Sequence, residues 1–238
     1  MRSDLYPQLY SQEEYYWWHR AKHAAVKQFL FRQSNLRILD IGCGTGKLLQ
    51  DLSQFGSVWG VDSNAQAIAF CRKRGLKRVY LQELPHIKLK QKFDYITCLD
   101  VLEHVADDTA ALKNIYSLLN PRGCLILTVP AYPWLFSYWD KILGHYRRYT
   151  PFQLKQVLAH AHLKPIKISF LYTFLLPIAL LFRTLRQIIF LERKPKSDFI
   201  AMPAFLHQLL YKLAIFEQRL LSFTNLPFGL SLFCIARK

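Results

Sequence analysis

The stretch that most limits how this chain can fold is LRILDIGCGTG, residues 36–46. An apolar run of strand length ends in three glycines at alternate positions, Gly42, Gly44 and Gly46, and a helical pattern begins directly after them. Glycine has no Cβ and tolerates positive φ, so such a loop brings bare backbone amides against a ligand. Strand, glycine loop and helix in that order open an α/β sheet, whose ligands sit beyond the carboxyl ends of the strands. The spacing is GxGxG, not the GxGxxG of a pyrophosphate loop.

The unit repeats along the chain. Strands read at 36–42, 57–63, 77–82, 93–100 and 124–130, with helical segments at 64–74 and 104–119 among them. This alternation predicts a parallel sheet covered by helices on both faces. NPRG (120–123) predicts a turn, because Pro121 cannot continue a helix. Upstream, residues 11–31 predict one amphipathic helix, with Ser11 and Glu14 at capping-box spacing. Thr150 as N-cap and Pro151 at the first helical position predict a helix to about Ala161. A sixth strand follows at 165–172 and a final one within LPFGLSLFCIARK. The expected architecture is α/β: a Rossmann-like doubly wound sheet of seven strands, the last antiparallel, with a helical insert before that last strand. One domain is expected over 1–238, comprising an N-terminal helical cap (1–35), a core (36–172), the insert (173–226) and the final strand (227–238).

Composition fits a globular chain, with 52% hydrophobic and 20% charged residues. The formal charge of +16 suggests an anionic partner: nucleic acid, a membrane face or a phosphorylated substrate. Five cysteines without a CxxC pair argue for plain buried thiols. The N-terminal residues are too polar for a secretory signal, so a cytoplasmic setting is expected. In the insert, residues 168–182 carry no charge, a run shorter than the ~20 residues of a spanning helix, and Arg183 and Arg186 follow. Two readings stay open there: a core helix, or a helix lying in the interface of an anionic membrane, on its inner face. The stretch 204–221 repeats apolar residues at three-to-four spacing.

Residues 36–130 resemble the core of the class I S-adenosylmethionine-dependent methyltransferases. LDIGCGTG (39–46) resembles their first motif, GVD (60–62) their second and FDYITCLDVLEHV (93–105) their fourth. GHYRRYT (144–150), preceded by Trp134, Trp139 and Asp140, is similar to a run found in a bacterial subgroup of type 11/12-like enzymes. The resemblance implies S-adenosylmethionine as cofactor, with Gly42, Gly44 and Gly46 against its methionine part, Asp40 orienting the loop, and Asp62, next to Ser63, holding the ribose. Leu99 is expected to line the same site. Relatives carry an acidic residue soon after the third strand to read the adenine amine. Here the run is YLQELP, which leaves Glu83, Gln82 or the backbone near Leu84 for that contact.

Methyl transfer from a sulfonium is an in-line displacement, so the enzyme must place a nucleophile and receive its proton. Asp100, His104 and His145 are the candidate catalytic groups. The D-x-x-E-H spacing of 100–104 resembles the E-x-x-E-H of ubiquinone-biosynthesis O-methyltransferases and small-RNA terminal 2′-O-methyltransferases. That resemblance implies a divalent metal held by Asp100, Glu103, His104 and His145. The plainer alternative has the histidine cap a helix or line the pocket. Arg147, Arg148 and Tyr146 are candidates for an anionic group on the acceptor, since arginine pairs suit phosphate or carboxylate. The expected function is O-methylation of a small or lipid-linked anionic acceptor. The alternatives are an RNA methyltransferase, and a non-catalytic cofactor-binding protein that docks a partner through its insert.

Overall fold

The structure, a computed structural model, describes residues 6–30, 34–181 and 203–238. Its strands are β1 (Leu36–Ile41), β2 (Gly56–Asp62), β3 (Val79–Leu81), β4 (Phe93–Leu99), β5 (Leu119–Pro130), β6 (Lys164–Leu171) and β7 (Ser231–Arg237). The helices are α1 (Tyr6–Gln12), α2 (Trp17–Leu30), α3 (Lys47–Leu52), α4 (Ala65–Lys73), α5 (Asp108–Leu118), α6 (Tyr138–Leu143), α7 (Pro151–His160) and α8 (Ala204–Leu221). The sheet order is β3-β2-β1-β4-β5-β7-β6. Strands β1 to β5 pair in parallel, while β7 runs antiparallel between β5 and β6. This is the Rossmann-like seven-stranded sheet expected.

Both faces of the sheet are buried, and the strands show it residue by residue. Leu39, Ile41, Leu125, Leu127, Leu232 and Cys234 pack on one side with α5 and α7. Ile38, Cys124, Ile126, Phe233 and Ile235 pack on the other with α2, α3 and α8. Period two assigns alternate residues to opposite layers, so a strand covered on both faces is apolar throughout.

Three local expectations fail for physical reasons. The first helix is two: α1 ends at Gln12, whose carbonyl accepts from both the Tyr15 and Tyr16 amides, and α2 starts only at Trp17. Ser11 therefore lies inside α1 and not at a helix start. NPRG is not a turn ahead of β5 but part of it. Leu119 pairs with Phe93, the register shifts, and Arg122 takes a left-handed φ of 66° to absorb the extra residues. The helix drawn at 104–119 is a single 3₁₀ turn at Leu102–His104 followed by α5, which Asp107 caps. The expectation at Thr150 holds: its side chain accepts from the Gln153 amide in a capping box, with Pro151 opening α7. Of the insert, 175–181 is helical and α8 runs where the spacing placed it. Residues 182–202, which include the Arg183 and Arg186 that end the uncharged run read as a core or membrane helix, lie outside the described residues. Among the described residues no helix is long and apolar enough to cross a membrane.

Candidate active site

The carboxyl ends of β1, β2, β4 and β5 converge on one edge of the sheet, and most of the expected site residues sit there. The glycine loop leaves β1 with Gly42, Gly44 and Gly46 all at positive φ (72°, 53° and 85°). The amides of Gly42 and Cys43 both donate to Val61 O, at 2.8 and 3.0 Å, which ties the loop to β2. Two of these glycines are demanded by packing inside the protein itself. A Cβ at Gly42 would run into Val101 Cγ2, and one at Gly46 into Leu76 and Cys71.

The two aspartates exchange part of their expected duties. Asp62, at the end of β2, accepts from Gly44 N (2.9 Å) and Asn64 N (2.9 Å), so it is Asp62 that orients the loop. Asp40 lies beneath, buried, accepting from Thr97 Oγ1 at 2.6 Å across β1 and β4. Burial pushes its carboxyl up to about 7, against the lowering effect of the Thr97 hydrogen bond. Ser63 is exposed beside Asp62. Past β3, Glu83 points to solvent and Leu84 is buried ahead of the cis Leu84–Pro85 bond. Gln82 is unsuited to a base-reading part, because its side chain closes a loop onto Lys88 N at 2.7 Å.

Beyond β4 the expected group of four splits. Leu99 ends the strand, and Asp100 follows with a left-handed φ of 54°. Its carboxylate accepts from Thr128 Oγ1 (2.7 Å) and pairs with Lys22 Nζ of α2 (2.5 Å). Burial alone would raise its pKa, but the Lys22 charge and these hydrogen bonds hold it below the usual carboxylate value. Asp100 is thus a fastener between β5 and α2, and it is not brought into the group expected to share a metal. Glu103, His104 and His145 are: one ligand atom from each lies within 4.8 Å of the others. The two imidazoles meet edge to face at 4.6 Å.

These three side chains are set up to accept something. His104 Nδ1 donates to Gly144 O (3.3 Å), and His145 Nδ1 to Asp140 Oδ1 (3.0 Å). With Nδ1 donating in each ring, Nε2 is the nitrogen that a neutral imidazole leaves as an acceptor. Burial and the neighbouring His145 lower His104 to about 4, which keeps it neutral at pH 7. Glu103 is 1% exposed, and its Oε2 is buried without a hydrogen-bond partner. Burial, then the Asp100 charge, pushes its pKa well up. A buried carboxylate with an unpartnered oxygen and two imidazoles, one ligand atom of each within 4.8 Å of the others, fits a divalent cation, with the Asp140–His145 bond as outer support. Glu103, His104 and His145 would hold it.

GHYRRYT turns out to be largely a splice. Tyr146 N donates to Glu103 O (2.8 Å), and Tyr149 N to Pro130 O (2.9 Å), stitching the segment to the ends of β4 and β5. Arg147 pairs with Asp108 Oδ2 (2.8 Å) and donates to Ala106 O (2.5 Å). Arg148 donates to Asp140 Oδ1 (2.7 Å) and Ala131 O (3.3 Å). Both guanidiniums expected to receive an acceptor's anionic group are engaged inside the protein. Within this run it is His145 that joins Glu103 and His104, and Tyr146 lies exposed next to it. The aromatics of α2 pack inward too, Trp18 stacking on Tyr172 at 3.9 Å.

A glycine loop held by an aspartate at the end of β2, with titratable groups gathered past β4, is the layout of a group-transfer site on a nucleoside cofactor. A methyltransferase-domain family profile matches residues 14–168, well over half of the chain. The chain belongs to the methyltransferase domain family. Among solved structures, this chain superposes on an S-adenosylmethionine-dependent methyltransferase of Clostridium acetobutylicum with TM-score 0.57 and 16% identity, over 91% of this chain and 89% of that one. It also superposes on phosphoethanolamine N-methyltransferase 2 of Haemonchus contortus with TM-score 0.59 and 22% identity, over 93% and 52%. Curated relatives include the ubiquinone biosynthesis O-methyltransferases of Xanthomonas oryzae (33% identical over 100 residues, 39% of this chain and 42% of the relative) and Haemophilus ducreyi (29% over 104 residues, 39% and 44%). The match spans less than half the length of those relatives.

Lys22, Thr97, Thr128 and Asp140 were not singled out as site residues from sequence. Only Asp140 left a trace there, five residues ahead of His145. The others reach the site through pairings of distant elements.

Proposed function

We propose that this methyltransferase moves the methyl group of S-adenosylmethionine to a hydroxyl oxygen of a small acceptor, with His145 taking the proton. The Asp140–His145 pair beside Glu103 and His104 carries the reading. Asp140 holds the ring by Nδ1, so Nε2 is the base, and the imidazolium formed is stabilised by the same carboxylate. When bound, the cofactor supplies a methyl group on a positively charged sulfur, positioned by the Asp62-held glycine loop. The cofactor, held at the Asp62 loop, would supply the methyl group and keep the C–S electron pair on its sulfur, and His145 Nε2 would accept the proton that the acceptor hydroxyl loses. A divalent cation held by Glu103, His104 and His145 would lower the hydroxyl's pKa. Its presence would leave proton acceptance to groups beside the cluster. Transfer to oxygen agrees with the similarity to ubiquinone biosynthesis O-methyltransferases. Because Arg147 and Arg148 are engaged internally, the acceptor is read as a small hydroxyl compound rather than an anion clamped by that pair.

The test is transfer of labelled methyl from the cofactor into fractionated bacterial extract, with and without chelator. Label in base-labile-free, ether-forming small molecules of the organic fraction is expected. Label in RNA instead would overturn the small-acceptor reading, and tight cofactor binding without label anywhere would overturn catalysis. Loss of labelling with chelator, restored by added Mn²⁺ or Zn²⁺, would assign the cluster to a cation and remove His145 from the role of base.

A further inference from the structure

Helix α8 turns two polar side chains, Glu217 and Gln218, inward. Its buried positions are Ala214, Glu217, Gln218 and Leu221. Glu217 accepts from the amides of Tyr172 (2.5 Å) and Thr173 (2.8 Å), just past β6. Gln218 donates to Ala21 O of α2 at 2.6 Å. These hydrogen bonds anchor the helix together with Leu210, Tyr211 and Leu221, which pack into the core, while a second set of large apolar side chains goes the other way. Phe205, Leu209, Leu213, Phe216 and Leu220 are all exposed, Phe205 to 72% and Phe216 to 61%. Their separations of four, four, three and four residues put them on one stripe. At 1.5 Å per residue it is about 23 Å long. Phe223, just past the helix end, is exposed as well. A continuous apolar stripe of this kind marks an interaction surface, whereas scattered exposed leucines do not.

Charge decides the partner. Lys212 and Arg219 are exposed and, at 100° per residue, flank the stripe on one side. The helix's one acidic residue, Glu217, is buried on the far side. The exposed face therefore carries cations and no carboxylate. A second copy meeting this face about a two-fold axis would bring the same cations together. A polyanion such as RNA would leave the phenylalanines and leucines in water. An anionic lipid surface satisfies both features: apolar side chains enter the acyl boundary while lysine and arginine stay at the headgroups.

We propose that the outer face of α8 docks the protein flat on an anionic bilayer. The inference is independent of the acceptor and of the chemistry proposed above, and its test reads binding alone. The full chain is sedimented with vesicles of phosphatidylcholine alone and of phosphatidylcholine mixed with phosphatidylglycerol. Co-sedimentation with the mixed vesicles is expected, weakening as salt rises. Lys212→Glu with Arg219→Glu should weaken it roughly tenfold or more. Phe205→Ser with Leu209→Ser and Phe216→Ser should abolish it while leaving thermal unfolding and cofactor binding unchanged, since these side chains are exposed. Failure of the wild-type chain to bind mixed vesicles overturns the proposal. So does binding that the substitutions leave intact. Self-association that the triple variant abolishes would give the face to a second copy instead, and overturns it equally.

Discussion

Three aspartates around the site do different work because each has different neighbours. Asp62 faces two backbone amides and fixes a loop. Asp140 faces His145 and Arg148, and the hydrogen bonds and charge around it overcome burial and keep its pKa well below the usual value. Asp40 faces a threonine in a dry core and stays protonated up to about 7. A carboxyl whose folded pKa lies above its unfolded one costs stability as pH rises between the two values. Wild-type stability should therefore carry a loss between pH 3.8 and about 7 that Asp40→Asn removes. Asparagine keeps an oxygen for Thr97. The melting temperature of the variant should gain on wild type as pH goes from 4 to 8; a constant difference would show that Asp40 is ionised in the fold. Asp140→Asn should lower kcat roughly 10–100-fold, the usual cost of losing such a histidine partner, with cofactor affinity unchanged. Equal losses in kcat and cofactor binding would mean that Asp140 merely holds the fold.

At the scale of elements, the glycine loop is fixed from inside as much as by any ligand. Gly42 combines a φ of 72° with Val101 packed where its Cβ would be. Gly42→Ala is expected to cost about 2–4 kcal/mol, summing left-handed strain and overpacking. Denaturant unfolding without cofactor measures this directly, and a cost below about 1 kcal/mol would show that the loop can shift freely. Element boundaries follow the same logic of tertiary partners. Period and turn chemistry predict α7 correctly because Thr150, Pro151 and Gln153 are local partners. They miss the break at 13–16, because what pulls Glu13 out of a continuous helix is Arg74, 61 residues away.

Across the whole molecule, the N-terminal helices are strapped over the carboxyl edge of the sheet by ion pairs. Arg74 pairs with Glu13 and Glu14, and its Nε donates to Thr45 O in the glycine loop at 3.0 Å. Lys22 pairs with Asp100. Tyr10 stacks on Phe70 of α4 at 4.6 Å. Burial raises the pKa of Glu13 despite the opposing Arg74 charge, so an unpaired Glu13 has strong reason to leave. Because the strap contributes no strand to the sheet, Arg74→Ala should open it locally rather than unfold the sheet. Expected outcomes are cleavage within residues 6–16 under limited proteolysis and faster cofactor release, with the main melting transition nearly unchanged. Resistance of that segment to protease in the variant would mean that α1 is held by packing alone.

The sequence by itself determined the strands, the seven-stranded α/β architecture, the glycine loop and the α7 cap, because each rests on periodicity or on partners a few residues apart. It also pointed to Glu103, His104 and His145, since residue type and position after a strand suffice to nominate chemistry. Only the tertiary structure decided which nominated groups have their polar atoms to spare. Asp100, Arg147 and Arg148 meet partners that remove them from the roles their types suggest, while Glu103 meets none for Oε2. Hydrogen bonds and ion pairs are short-ranged, and those partners come from helices and strands that only the folded sheet brings within reach.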